Sequence, residues 1–191
     1  EFDAGAANAL RTRLTGSWRF LPKTAAIVDT SWDFRSYPNR TDLALTADSK
    51  PWRSKVGLAG ALTKRVTFRF AAGYGMSLHE TSVTDSDAED KSFSNWIGSM
   101  SIGYKASATT AMHLGYTRDF RDAYFGNFVQ FHRGSVSLDQ RFGTMLSVVT
   151  WLNISYGEYG LYVPVLPGVT LTQKNRVDTT LDGGVRGTFE V

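Results

Sequence analysis

Charged side chains recur at every second residue along this chain, and that spacing is where its chemistry lies. Over residues 9–20, Arg11, Arg13 and Arg19 share one parity, whereas Leu10, Leu14, Trp18 and Phe20 hold the other. Three arginines on one face argue against a dry core, because each buried ion carries a heavy desolvation cost. The same rule places Asp29, Asp33 and Arg35 together over 24–36, Arg69 over 64–79, and Lys105 over 93–106. It continues with Asp119, with Arg133, Asp139 and Arg141, and with Arg176, Asp178, Asp182, Arg186 and Glu190 near the end. Such a ladder is cheap where it faces water, and rings of charge tune which ions pass a pore. A slight basic excess points to anion preference. The alternative is cross-strand pairing that simply fills a lumen. If a pore exists, neutralising Arg11, Arg13 and Arg69 together is expected to lower anion selectivity.

Other chemistries are poorly served. The acidic stretch Asp85, Asp87, Glu89 and Asp90 offers oxygens of the kind calcium takes, but lacks the spacing and glycine of an EF-hand loop, so a solvated loop is expected. His79, His113 and His132 fall on different segments with no ligand spacing. Catalysis needs a nucleophile or activated water, a base and an orienting group together. His79 with the 85–90 carboxylates is the nearest set, and nothing specifies it further, so no catalytic, cofactor or metal residues are expected. The chain has no cysteine, hence no disulfide framework or thiolate site. Its formal charge of +3 is mild and its Lys and Arg are scattered, which argues against nucleic acid as a partner.

The elements that must position these charges are long strands. In residues 64–79, Val66, Phe68, Phe70, Ala72, Tyr74, Met76 and Leu78 alternate with Thr67, Arg69, Ala71, Gly73, Gly75, Ser77 and His79. Period-two alternation marks a strand with two different environments on its faces. It outlasts the roughly 9–11 residues that cross a bilayer as a tilted strand. Nine such segments are expected, at about 9–20, 24–36, 53–63, 64–79, 93–106, 110–119, 128–141, 145–158 and 174–191. Gln130 and His132 share the apolar parity of the seventh, which places its upper part above the hydrocarbon.

Tight turns near residues 22, 64, 108 and 143 alternate with longer polar loops near 44, 86, 123 and 166, the sidedness of an outer-membrane barrel. All five prolines read as turn or loop residues. Trp18, Phe20, Phe68, Tyr104 and Phe142 gather towards the short turns. Trp32, Phe34, Trp96, Tyr116 and Tyr156 gather towards the long loops, with Tyr74 higher in the wall than Phe68. Two aromatic belts are what two bilayer interfaces select. Mean hydropathy is −0.22, which a barrel reaches because lumen and lipid residues average out. The expected fold is all-β, a transmembrane antiparallel up-and-down β-barrel forming one domain over 1–191. A soluble up-and-down barrel or sandwich is the alternative. Because bacterial barrels have an even strand number, nine strands imply part of a larger barrel, with at least one strand before Glu1 or a partner chain.

Three stretches, FLPKTAAIVDTSWDFRSYP at 20–38, LTKRVTFRFAAGYG at 62–75 and LGYTRDFRDAYFGN at 114–127, carry a further likeness. Their tight turn followed by a strand ending in Gly-Tyr or Tyr-Thr-Arg-Asp-Phe resembles the beta-barrel porin families of Gram-negative bacteria, myxobacterial types included. That resemblance implies an outer-membrane location, in contact with lipid and lipopolysaccharide, and a porin-like channel or export conduit. Some members of those families are associated with polysaccharide export, and similar barrels occur in gliding machinery. It therefore also implies the alternative of a structural barrel anchoring a larger envelope complex with other barrel or periplasmic subunits.

Overall fold

A computed structural model describes residues 8–36, 49–79, 93–122, 128–160 and 176–189. They form one antiparallel sheet in strict chain order: β1 (Asn8–Leu21), β2 (Thr24–Ser36), β3 (Ser49–Ala61), β4 (Val66–His79), β5 (Phe93–Lys105), β6 (Thr110–Asp122), β7 (Phe128–Phe142), β8 (Leu146–Tyr159) and β9 (Val177–Phe189). The fold is all-β and up-and-down, with no helix among the described residues. Strands of 13 to 15 residues are more than twice the usual length. Among the described residues β1 and β9 do not pair with each other, so they form the two edges.

Side-chain chemistry fixes the tight connections. Thr63 Oγ1 accepts the N–H groups of Arg65 and Val66 between β3 and β4. Ser107 Oγ accepts the N–H of Thr109 between β5 and β6. Gly143 turns β7 into β8 with φ of 63°, a left-handed backbone that glycine adopts without steric cost. At the end of β1 the register with β2 shifts between Arg19 and Leu21, leaving Phe20 at a bulge.

The sheet curls towards its charged face. Three strand spacings separate β3 from β6, about 14 Å in a flat sheet. Yet Arg53 Nε of β3 lies 2.9 Å from Asp119 Oδ1 of β6. Only a wall concave on that side brings them together. The concave face carries the odd-numbered residues of β2 to β6, and the convex face their even-numbered, largely apolar neighbours.

Some sequence expectations are corrected. Pro51 is a strand residue, not a loop residue: β3 begins at Ser49, inside the stretch read as polar loop, and Pro51 pairs with Ser77 of β4. On its other side the β2–β3 register passes from Trp32↔Trp52 to Arg35↔Ser49, leaving the rung opposite Pro51 open. A residue without an N–H is tolerated where the ladder has such a gap. Lys64 and Arg65 lie in the tight turn expected near residue 64, so β4 starts at Val66 rather than at 64, and β6 runs past residue 119 to Asp122.

A larger departure lies between β5 and β6. Their pairing stops at Gly98↔Arg118, although both strands continue, whereas β6 stays paired to β7 up to Asp122↔Phe128. Above that point the β6–β7 strip passes on the concave side of β5. Its even-numbered residues therefore meet the odd-numbered residues of β5: Phe120 stacks on Phe93 at 4.1 Å, Phe128 meets Phe93 edge-on, and Asn95 donates to Gln130. Phe93, Ile97 and Phe120 form the buried cluster, with Phe128 packed against it. Gln130, whose parity is that of the apolar face, is here covered by β5 through Asn95.

Candidate functional site

The geometry of the concave face starts from cross-strand neighbours. Arg11 lies directly opposite Asp33 and donates through Nε and Nη2 to both carboxylate oxygens, each at 2.8 Å. Arg13 reaches Asp29 in the same two-pronged way, at 2.8 and 2.6 Å. The planar guanidinium fork matches a carboxylate edge, which gives such pairs direction as well as charge. Asp33 also takes Arg35 at 3.3 Å, and Arg53 Nη1 stands 3.9 Å away.

Arg53 is the hub. Besides Asp119 it donates Nη2 to the Phe120 carbonyl at 2.6 Å, and its guanidinium sits 4.1 Å from the Phe120 ring centre. Lys55 Nζ lies 4.0 Å from the other Asp119 oxygen. Arg133 donates to Ser155 at 3.0 Å and lies beside Phe131. Together these groups line one cavity of about 410 Å³, bounded by Arg11, Arg13, Asp29, Ser31, Asp33, Arg35, Arg53, Lys55, Asp119, Phe120, Arg121, Phe131 and Arg133. Most lie in the long-loop half of their strands, with Asp29 and Lys55 near mid-strand.

The remaining charges fall elsewhere on the same face. Arg19, Arg69, Lys105 and Arg141 stand nearer the short turns, opposite the small residues Ala25, Ala59, Ala111 and Ser147. His113 approaches Asp139 at 3.4 Å. Asp182 accepts from Asn153, Arg186 lies 5.9 Å from the Trp151 ring, and Arg176 forks onto Asp178 beside Tyr159. The acidic stretch 85–90 and Glu190 lie outside the described residues. Among the described residues no group of three or more His, Asp or Glu could hold a metal ion.

The convex face is apolar and open. Leu14 is 71% exposed, Trp18 72%, Val56 61% and Leu181 69%, and each of the other strands carries large apolar side chains that are about 40–55% exposed. Trp18 contacts Phe20, and Trp32 stacks on Phe34, at the two ends of the β1–β2 hairpin. Tyr104 stands opposite Val66, and Phe68 opposite Ile102, close to the short turns. Towards the long loops, the Tyr74 hydroxyl meets Ser94 Oγ, and that of Tyr116 meets His132 Nδ1. His132 in turn lies near Tyr156.

Sequence reasoning missed Arg53, Lys55 and Arg121, and also Phe93 and Ile97, whose odd parity sets them on the concave face. Parity already places Arg53 and Lys55 opposite Val56 and Leu58 within the expected strand 53–63. Arg118 carries the apolar face's parity, yet only 8% of it is exposed, with its guanidinium 3.8 Å from the Trp96 ring. An aromatic face is one of the few partners that compensates a cation there.

Strand order, curvature and the two contrasting faces are those of a wall segment in an antiparallel up-and-down architecture, charged inside and apolar outside. No protein-family model matches the chain, and no curated protein matches it. Among solved structures, the alcaligin outer membrane receptor FauA from Bordetella pertussis is similar over 94% of this chain, at 12% sequence identity and a TM-score of 0.48. The chain spans about a third of that protein, 34% of its length.

Proposed function

We propose that the chain forms a stretch of the wall of an outer-membrane β-barrel, and that its charged concave face lines a porin-like channel or export conduit. The observation that carries this reading is the convex face: large apolar side chains stand exposed on all nine strands. Soluble monomers rarely leave contiguous apolar patches of more than a few hundred Å² in water. A bilayer accepts such a surface, provided the backbone is satisfied by neighbouring strands. The strand lengths and the aromatic side chains near both ends support the same reading, and lipid and lipopolysaccharide are its natural surroundings. In this reading the chain is not an enzyme and needs no cofactor.

A second reading, a structural barrel anchoring a larger envelope complex with other subunits, is favoured by one observation. The Phe93, Ile97 and Phe120 cluster, with Phe128, occupies the concave side at the long-loop end, where it fills space that a conduit would keep open.

Residues 1–191 hold no cysteine, so a thiol introduced among them is unique within this stretch and allows a direct test. In the full-length protein reconstituted in liposomes, Ser31→Cys and Ser101→Cys are expected to react with a water-soluble maleimide, and Val56→Cys and Leu114→Cys to resist it. Equal reaction of both sets would remove the membrane assignment. Single-channel conductance then separates the two readings: a stable conductance supports the conduit, and silence the anchor.

A further inference from the structure

Resting on the reading of the concave face as a lumen, we propose that the cavity beneath β1, β2, β3, β6 and β7 is a binding site for a multivalent oxyanion, a solute bearing two or more phosphate, sulfate or carboxylate groups. Its lining holds seven Lys or Arg side chains and three Asp. Every one of the three carboxylates is already engaged: Asp29 by Arg13, Asp33 chiefly by Arg11, and Asp119 by Arg53 and Lys55. These carboxylates therefore orient cations rather than neutralise the site. Arg11 commits Nε and Nη2 to Asp33, leaving Nη1 as a spare donor on a side chain that is 63% exposed. Arg13 is held in the same way.

The excess sits on β6 and β7. Among the described residues neither Arg121 nor Arg133 forms an ion pair with the cavity carboxylates, and Arg133 is anchored through Nε alone, leaving its two Nη groups to donate. Cations thus approach the cavity from β1–β3 on one side and from β6–β7 on the other. A ligand with several anionic groups can engage both sides at once. About 410 Å³ is room for a group of that kind, and Phe120 and Phe131 supply apolar wall between the charges. Planar guanidinium donors favour oxyanions, which accept two parallel N–H bonds, over chloride.

The test uses Ser31→Cys in the full-length protein in liposomes, since Ser31 lines the cavity. The rate of maleimide reaction is followed with sodium tripolyphosphate or with inorganic phosphate at matched ionic strength. Tripolyphosphate is expected to slow the reaction at least tenfold at saturation, and inorganic phosphate to leave it nearly unchanged. Adding Arg121→Gln and Arg133→Gln is expected to raise the tripolyphosphate needed by about tenfold for each guanidinium removed. No protection, equal protection by inorganic phosphate, or protection indifferent to the two glutamines would each overturn the site while leaving the lumen reading intact. A thiol that fails to react even without ligand overturns the lumen reading, and the site with it.

Discussion

Arg53 shows how much of the curvature one side chain holds. It ties β3 to β6 through Asp119 and the Phe120 carbonyl, over two intervening strands, and is itself mostly buried. Removing one partner of a buried ion pair leaves the other charge uncompensated, at a cost of about 3–5 kcal/mol. Arg53→Ala is expected to lose an amount of that order in urea unfolding of the detergent-solubilised protein, and Arg53→Lys to recover only part of it, because an ammonium cannot fork onto both acceptors. A loss below about 1 kcal/mol, the surface-pair range, would show that the clamp is incidental. Gly75 is the complementary case. A Cβ there would lie 2.5 Å from Phe120 Cε1 and 3.2 Å from Ile97, so the missing side chain is what admits the Phe120 ring. Gly75→Val should cost about 1–3 kcal/mol by overpacking. Gly187→Val, with nothing within 4 Å, is its control. Equal losses at the two positions would separate the cost from Phe120.

At the level of elements, alternation was readable wherever a strand keeps one face to the apolar side and one to the charged side along its whole length. Eight of the nine strands begin within three residues of the expected positions, and β3 is the exception. Its start differs because a proline normally bounds a strand, whereas an open rung on the β2 side accommodates Pro51 within β3. The inward step of the β6–β7 strip was not readable at all. Nothing in the local pattern of residues 118–122 says that β6 leaves β5 after Arg118, since that depends on which residues of β5 it meets. Gln130 and His132 showed only that the simple parity ends there. The cavity was half legible for the same reason: Arg11, Arg13, Asp29, Asp33 and Asp119 share a face by spacing, but the meeting of Asp119 with Arg53 across two intervening strands requires the curl. The parity rule makes its own prediction on β6. In the proposed barrel, Leu114 faces lipid between Ile102 and Val136. A charge on the lipid face near the midplane costs about 2–4 kcal/mol. Leu114→Arg should therefore destabilise the folded protein by that order in urea titrations, while Thr117→Arg, on the concave side, should change stability little. Similar losses for the two would mean that both faces see the same medium.

For the whole molecule the question is whether the concave charges act as a field or merely fill space. Arg11 and Arg13 are paired so closely with Asp33 and Asp29 that each looks electrically silent from a distance. Neutralising them does not remove two silent pairs, however; it leaves Asp29 without Arg13, and Asp33 with only Arg35 and the more distant Arg53. The cavity would then hold five cations against the same three aspartates. Arg69, nearer the short turns, extends the change along the axis. If the concave face lines a pore, the triple variant Arg11→Gln, Arg13→Gln, Arg69→Gln should move the reversal potential in a KCl gradient towards cation preference. Asp29→Asn with Asp33→Asn should move it the other way. Both shifts should be large when the Debye length is about 30 Å, near 0.01 M salt, and small near 1 M, where it is about 3 Å. Side chains that only plug the lumen make the opposite forecast: no measurable shift in either variant at any salt, because no ion samples the potential they change.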